Sequence, residues 1–363
     1  MASARTTPLH SLLVFIYRDI YTCFLKELRR HRQPIDCSKI ARVAGITVDI
    51  IIYLEVWILF KSKVLDEVKR IYSQGGNIIK HLREIEQSQH NSTESILISY
   101  DFQAGSYVKA YKKNSKIYHR MIDQFVAELK ALGGFRSIME AGIGEGTTFR
   151  YIIHNLSTTI SHANCYGFDI SWSRLKVAKD FLQANSIVGQ HLFVAELSSI
   201  PLKDNSIDIV YTSHSIEPNG GKERPILEEL YRVTKNYLVL FEPDYELADD
   251  AGKKRMEEHG YVKDLAGVAK SLGYNVIKHK LLGYSVNPLN PTSVIVINKQ
   301  KSDISVSDDN PFRCPITKTD LINCGEIFFS PQAYLMYPVI QGLPCLLDSQ
   351  AILGCRYDIH VLG

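Results

Sequence analysis

The sequence predicts an α/β protein built on a doubly wound, seven-stranded, mostly parallel sheet, with a helical region ahead of it and a small β-rich module behind it. Three observations lead there. From residue 137 onward, short apolar runs alternate with helix-like segments, a pattern that places successive strands in one parallel sheet with crossover helices on both faces. At the first strand-to-helix turn, three glycines fall within five residues: Gly142, Gly144 and Gly146. The last two strands follow each other with no helix between them, so the final one can enter antiparallel.

Residues 1–95 read as a helical N-terminal region, because apolar positions recur at three and four through "LLVFIYRDIYTCFLKEL" and "VDIIIYLEVWILFKSKVLDEVKRIY". The polar stretch "EQSQHNSTES" ends it. Within it, "SKIARVAGIT" is faintly like the first part of a helix-turn-helix with Gly45 at the turn, but the segment that follows is apolar and has no basic recognition helix. The apolar run at 50–60 carries Glu55 and is shorter than the roughly 20 residues a membrane-spanning helix needs. No membrane span is therefore expected.

Residues 96–300 form the predicted sheet domain. Its strands are "SIMEAGI", "CYGFDI", "HLFVAEL", "IDIVYTS", "YLVLFEP", "YNVIKHKLLG" and "SVIVINK". Its helices are "TTFRYIIHNL", "SRLKVAKDFLQAN", "RPILEELYRVT" and one long helix over "AGKKRMEEHGYVKDLAGVAKSLG". A polar linker at 300–311 then leads into the tail, so that residues 301–363 comprise linker and module.

Composition sets limits on partners. A net charge of +3 on 363 residues creates no field that argues for nucleic acid, and the basic clusters "KELRRHR" and "KSKVLDEVKR" read as solvated helix faces. Seven scattered cysteines, an odd number, suit a reducing compartment better than a disulfide framework. With no signal-peptide pattern at the N-terminus, a cytoplasmic protein is expected.

In a doubly wound sheet the ligand sits outside the carboxyl ends of the strands, where the first strand turns into the first helix. Glycines there permit a tight turn and bare the backbone toward a ligand. Asp169 ends the second strand, where a carboxylate can accept both hydrogen bonds from vicinal ribose hydroxyls, and Glu196 ends the third, near where an adenine would lie. Taken singly, each could be a solvated strand-end acid or a helix cap.

These residues resemble the class I S-adenosylmethionine-dependent methyltransferases over about residues 98–300. The resemblance rests on "MEAGIGEG", "GFDIS", "VAELSSIPLKDNSIDIVYTSHSIEP", "LEELYRVTKNYLVLFEP" and the closing hairpin. It implies S-adenosylmethionine as cofactor, with Glu140, Gly142, Gly144, Gly146 and Thr147 around the methionine end, Asp169 on the ribose, and Glu196 with Leu197 beside the adenine. Glu140 and Glu196 stand where the family often has aspartate. A nicotinamide dinucleotide is the competing cofactor, but its pyrophosphate needs a third glycine one residue later, and Glu145 would repel it.

For the chemistry, His214 and Glu217 follow the fourth strand, and Glu242 and Asp244 follow the fifth. His214 is the preferred general base because imidazole titrates near neutrality; packing beside the cofactor is its other reading. Glu242 and Asp244 could bind substrate hydroxyls or a cation, or cap the next helix, and His259 reads as a helix-surface residue. In related enzymes an aromatic lid lies upstream of the first strand, which makes Tyr107 and Tyr100 candidates for that role or ordinary packed tyrosines.

The tail, "CPITKTDL" followed by "FFSPQAYLMYPVIQGLPCLL", resembles the small zinc-ribbon-like activator domain of tRNA and release-factor methyltransferases. Thr317 stands where a C-x-x-C pair needs its second cysteine, so no metal is expected there. The expected acceptor is a small metabolite or a sugar of a glycan precursor, methylated at oxygen or nitrogen. RNA or protein as substrate, and a non-catalytic module of the same fold, are the alternatives.

Overall fold

The computed structural model describes residues 63–156, 164–299 and 310–357. Asn77–Gly363 forms one compact unit; of the unit ahead of it only 63–76 is described, with 63–73 helical. The helix-turn-helix-like stretch, the apolar run at 50–60 and most of the 300–311 linker lie outside the described residues. No helix among the described residues is long and apolar enough to cross a membrane.

Within the unit that begins at Asn77, four helices precede the sheet: α1 (Ile78–Ile85), α2 (Thr93–Phe102), α3 (Ser106–Lys113) and α4 (Ser115–Lys130). Asn77 and Ser92 begin α1 and α2 by accepting hydrogen bonds from the amides of Lys80 and Ser95. These helices belong to the compact unit that starts at Asn77. The reason lies in side chains that tie this region down: Asn91 Nδ2 donates to the carbonyls of Pro218 (2.8 Å) and His259 (3.1 Å), and Lys222 Nζ to Thr93 Oγ1 (2.7 Å).

The sheet contains β1 (Ser137–Ala141), β2 (Asn164–Asp169), β3 (His191–Val194), β4 (Ile207–Ser213), β5 (Thr234–Pro243), β6 (Val276–Leu281) and β7 (Thr292–Asn298). Their order is 3-2-1-4-5-7-6, with β7 antiparallel to both neighbours, so the expected closing hairpin is present. Successive strand residues bury opposite faces. Met139, Val210 and Leu238 pack with α7 (Glu223–Val233) and α9 (Leu265–Ser271), whereas Ile138, Ile209 and Val239 pack with α4, α5 (Thr147–Leu156) and α6 (Trp172–Ala184). Burial on both faces explains why these strands read as continuous apolar runs.

One expected helix is two. The long helix predicted after β5 is broken into α8 (Asp250–His259) and α9, because Gly260 takes a left-handed conformation that ends the first and Asp264 caps the second through the Gly267 amide. The loop between them docks on the loop after β4: Gly220 N donates to Gly260 O (3.2 Å) and Val262 N to Glu217 O (3.0 Å).

The tail forms an antiparallel sheet of β8 (Ile322–Asn323), β9 (Ile327–Ser330), β10 (Leu335–Ile340) and β11 (Leu343–Pro344), with β12 (Ile352–Leu353) also paired to β10. It docks beside β3. Leu346 N donates to Val194 O (2.9 Å), and Phe312 meets Phe193 edge-on with centroids 5.3 Å apart. Cys314 is buried against Tyr337, with sulfur and hydroxyl 3.3 Å apart, and the Thr317 amide donates to its sulfur.

Candidate active site

A cleft of about 370 Å³ opens at the carboxyl ends of β1, β2 and β4, where the strand order reverses. Glu140, Gly142, Gly144, Thr147, Asp169, Glu196, Leu197, Tyr107 and His214, all expected from sequence, line it. Tyr100 and Tyr107 on α2 and α3 roof it, as the upstream aromatic residues lead one to expect.

The glycine turn is shaped by what surrounds it. Gly142 and Gly144 have φ of +75° and +56°, and a Cβ on the first would collide with Ser215, on the second with the Arg174 guanidinium. Gly146 lies outside the lining; its φ of +73° calls for glycine, and a Cβ there would make ordinary contact with Ala178 and Leu182 at 3.4 Å.

Each acid is held differently. Glu140 is buried and accepts from Tyr211 Oη at 2.8 Å. Burial pushes its carboxyl up to about 8, with the Tyr211 hydrogen bond pulling down and nearby Asp169 pushing up. Asp169 is 5% exposed; its Oδ2 accepts from Gly144 N and its Oδ1 from Ser171 N, both at 2.9 Å. Glu196 lies two residues beyond the end of β3, in a turn, where it accepts from Ser198 Oγ at 2.7 Å.

His214 follows β4 with φ of +54°, a conformation that costs a non-glycine residue about 1–2 kcal/mol. The His214 amide donates to Phe241 O, its Nε2 is 2.9 Å from Thr292 Oγ1, and its Nδ1 is 3.3 Å from Glu217 Oε2. Burial disfavours the imidazolium, but the hydrogen bond and charge of Glu217, together with Glu242, outweigh it and raise the His214 pKa.

Glu242 and Asp244 do not reach the cleft. The Glu242 carboxylate is fully buried and accepts from the amides of Ser215, Ile216 and Glu217, fixing the loop that carries His214. Burial is the main reason its pKa rises to about 7. Asp244 accepts from Leu247 N (2.9 Å) and pairs with His279 Nε2 (2.6 Å), so it caps a turn and braces β6. His259 sits at the end of α8 with Nδ1 2.8 Å from Arg255 O, beside rather than in the cleft.

Three features escaped the sequence reading. Arg174 lies 3.8 Å from Asp169 and under the rings of Tyr100 (5.0 Å) and Tyr107 (4.7 Å); its signal was a basic residue in the first turn of the helix that Ser171 caps. Glu145 accepts from the amides of Gly105, Tyr107 and Val108, fastening the start of α3 to the glycine turn. Arg255, Tyr261 and Asn290 form the far wall, drawn in by the break between α8 and α9 that the periodicity concealed.

Among the described residues, no group of three or more His, Cys, Asp or Glu is placed to hold a metal ion. Residues 139–240 match a family model described as a methyltransferase domain. Among solved structures, a magnesium protoporphyrin IX methyltransferase from Synechocystis PCC 6803 is similar at 14% identity and a TM-score of 0.43, over 56% of this chain and 99% of that one. A SAM-dependent methyltransferase from Aquifex aeolicus is similar at 17% identity and a TM-score of 0.36, over 48% of this chain and 88% of that one. A geranyl diphosphate C-methyltransferase from Streptomyces coelicolor A3(2) matches at 10% identity and a TM-score of 0.39, over 50% and 77% of the two chains. The matched segment runs from the glycine-turn strand to the strand behind His214, and the sheet around it has the 3-2-1-4-5-7-6 order; residues 139–240 are a methyltransferase domain.

Proposed function

We propose that the enzyme methylates an oxygen or nitrogen of a small metabolite or of a sugar in a glycan precursor. One observation carries the reading: carboxylates from the ends of three neighbouring strands converge with the glycine turn in a single roofed cleft of about 370 Å³. A cleft of that size and closure suits a cofactor with a small acceptor better than a polymer. Five described cysteines, all free, support a reducing, cytoplasmic setting.

The groups present fit the donor. Asp169 and Glu196 give the pocket the negative character a sulfonium and an ammonium call for, and a cationic donor beside Glu140 would favour its ionised form. Each Asp169 carboxylate oxygen accepts one backbone amide, and a carboxylate has about four acceptor sites, so it retains capacity for a ribose diol when Arg174 turns aside. Glu196 and Leu197 would border the adenine, while Gly142, Gly144, Thr147 and Tyr107 would frame the methionine end. When bound, S-adenosylmethionine supplies an electrophilic methyl group.

The protein's own part is positioning and proton removal. With Nδ1 3.3 Å from Glu217 Oε2, His214 would use Nε2 as its basic nitrogen, and exchanging Thr292 for the acceptor would let it take the acceptor's proton. Glu242 acts as a positioning residue, holding the loop through three amides.

Titration calorimetry with S-adenosylmethionine tests the cofactor assignment. Asp169→Asn should weaken binding by about tenfold to a hundredfold, the range expected when a charge-assisted hydrogen bond is lost. Equal affinity in wild type and variant would overturn the ribose assignment. His214→Gln should keep the cofactor while turnover falls by about 10²- to 10⁴-fold; unchanged turnover would reduce His214 to packing.

A further inference from the structure

Two cationic side chains line the cleft, Arg174 and Arg255. Arg174 is neutralised by Asp169. Arg255 has no carboxylate within ion-pair distance among the described residues, although five acids line the same cleft: Glu140, Glu145, Asp169, Glu196 and Glu217. A guanidinium left without a counter-ion at the edge of a ligand cleft is a binding group waiting for an anion.

Its surroundings aim it. Arg255 Nη1 donates to Asn290 Oδ1, and Asn290 is only 6% exposed, so the guanidinium is anchored from behind. The Tyr261 hydroxyl lies against both residues, and burial together with the Glu217 charge raises its pKa, so it remains a hydrogen-bond donor. Arginine fork, asparagine amide and phenol thus meet on one wall.

We infer that Arg255, with Asn290 and Tyr261, binds a carboxylate of the methyl acceptor, so that the substrate class is a small hydroxy or amino acid. The inference rests on the methyltransfer reading above. Position supports it: Arg255 and His214 line the same cleft and are anchored by Asn290 and Thr292, two residues apart in the chain, so the carboxylate and the nucleophile of one small molecule would share that cleft. A single cation matches a carboxylate, whereas a phosphate dianion would call for a second one. This wall comes from the segments after β5 and before β7, across β4 from the glycine turn assigned to the methionine end, so the carboxylate in question is the acceptor's.

The test is calorimetric titration of the enzyme saturated with S-adenosylhomocysteine, using benzoate, acetate, benzamide and inorganic phosphate as probes. Benzoate or acetate should bind saturably, benzamide should bind at least about tenfold more weakly than benzoate, and Arg255→Gln should weaken the carboxylates by about tenfold or more, with S-adenosylhomocysteine affinity unchanged. Equal binding of benzoate and benzamide, preference for phosphate, no carboxylate binding, or carboxylate binding that survives in Arg255→Gln would each overturn the inference. A loss of S-adenosylhomocysteine affinity in Arg255→Gln would do so as well, by assigning the residue to the cofactor. Failure of the wild type to bind S-adenosylhomocysteine overturns the methyltransfer reading instead. If Arg255→Gln has no unfolding transition, Arg255→Lys replaces it: charge without the fork should give intermediate carboxylate affinity, and wild-type affinity would overturn the inference.

Discussion

Glu140 is a buried acid whose carboxyl is pushed up to about 8, well above the ordinary value of 4.5. For a group raised in the folded state, the stabilisation is complete below its unfolded pKa and disappears as pH rises through the folded one. Its contribution should therefore decline between about pH 4.5 and 8. Urea unfolding measured across that range should show wild-type stability falling with pH and a shallower fall in Glu140→Gln; parallel curves would show that Glu140 titrates normally. At this scale the sequence was informative where a residue's meaning depends on its place along the chain. Asp169 and Glu196 could be found because they follow apolar strands at a turn. Arg174 and Arg255 could not, because one matters through the acid it meets and the other through the acid it lacks, and both facts arise only on folding.

Among the elements, the roof depends on Glu145. Its carboxylate takes three amide hydrogen bonds from the start of α3, at 2.6 to 3.3 Å. Glu145→Gln should cost about 1 kcal/mol, as loss of a helix cap does, and should speed amide hydrogen exchange at residues 105–113. Unchanged exchange there would mean that the Tyr107 segment is held by other contacts. In the sequence Glu145 was legible only as a charge unsuited to a pyrophosphate; its role as a cap came from a helix 40 residues upstream. β4 was readable to the residue and the other strands to within three residues at either end, since burial on both faces leaves an unbroken apolar run in most of them. The division of α8 from α9 was not, because apolar residues continue through Tyr261 and Val262, although Gly260 was there to end a helix.

Over the whole molecule, the tail shares its interior with the sheet domain. Phe312 is 8% exposed and stands against Phe193 and Phe328 in the same apolar cluster that includes Met139 and Leu238. Phe312→Ala should cost about 3–5 kcal/mol, the range for deleting a buried aromatic side chain, and should lower a single transition common to tail and cleft. Two separate transitions, with only the later residues affected, would show that the tail folds as its own unit. The tail's β character was legible from its sequence. Its docking beside β3 in particular was not, because those contacts join positions about 120 to 150 residues apart; no described tail residue lines the cleft.

The docking of Leu346 on Val194 has a colloidal consequence. An open sheet offers a template for strand addition at each edge, and therefore a route to fibrils and to runaway association. Here the β3 edge is paired by the chain's own tail, while the opposite edge, β6, carries Lys278 and Lys280, both paired with Glu128 of α4. One border is closed by a backbone hydrogen bond and the other by charge that an incoming strand would have to strip of water, so the tail also guards the sheet against self-templating.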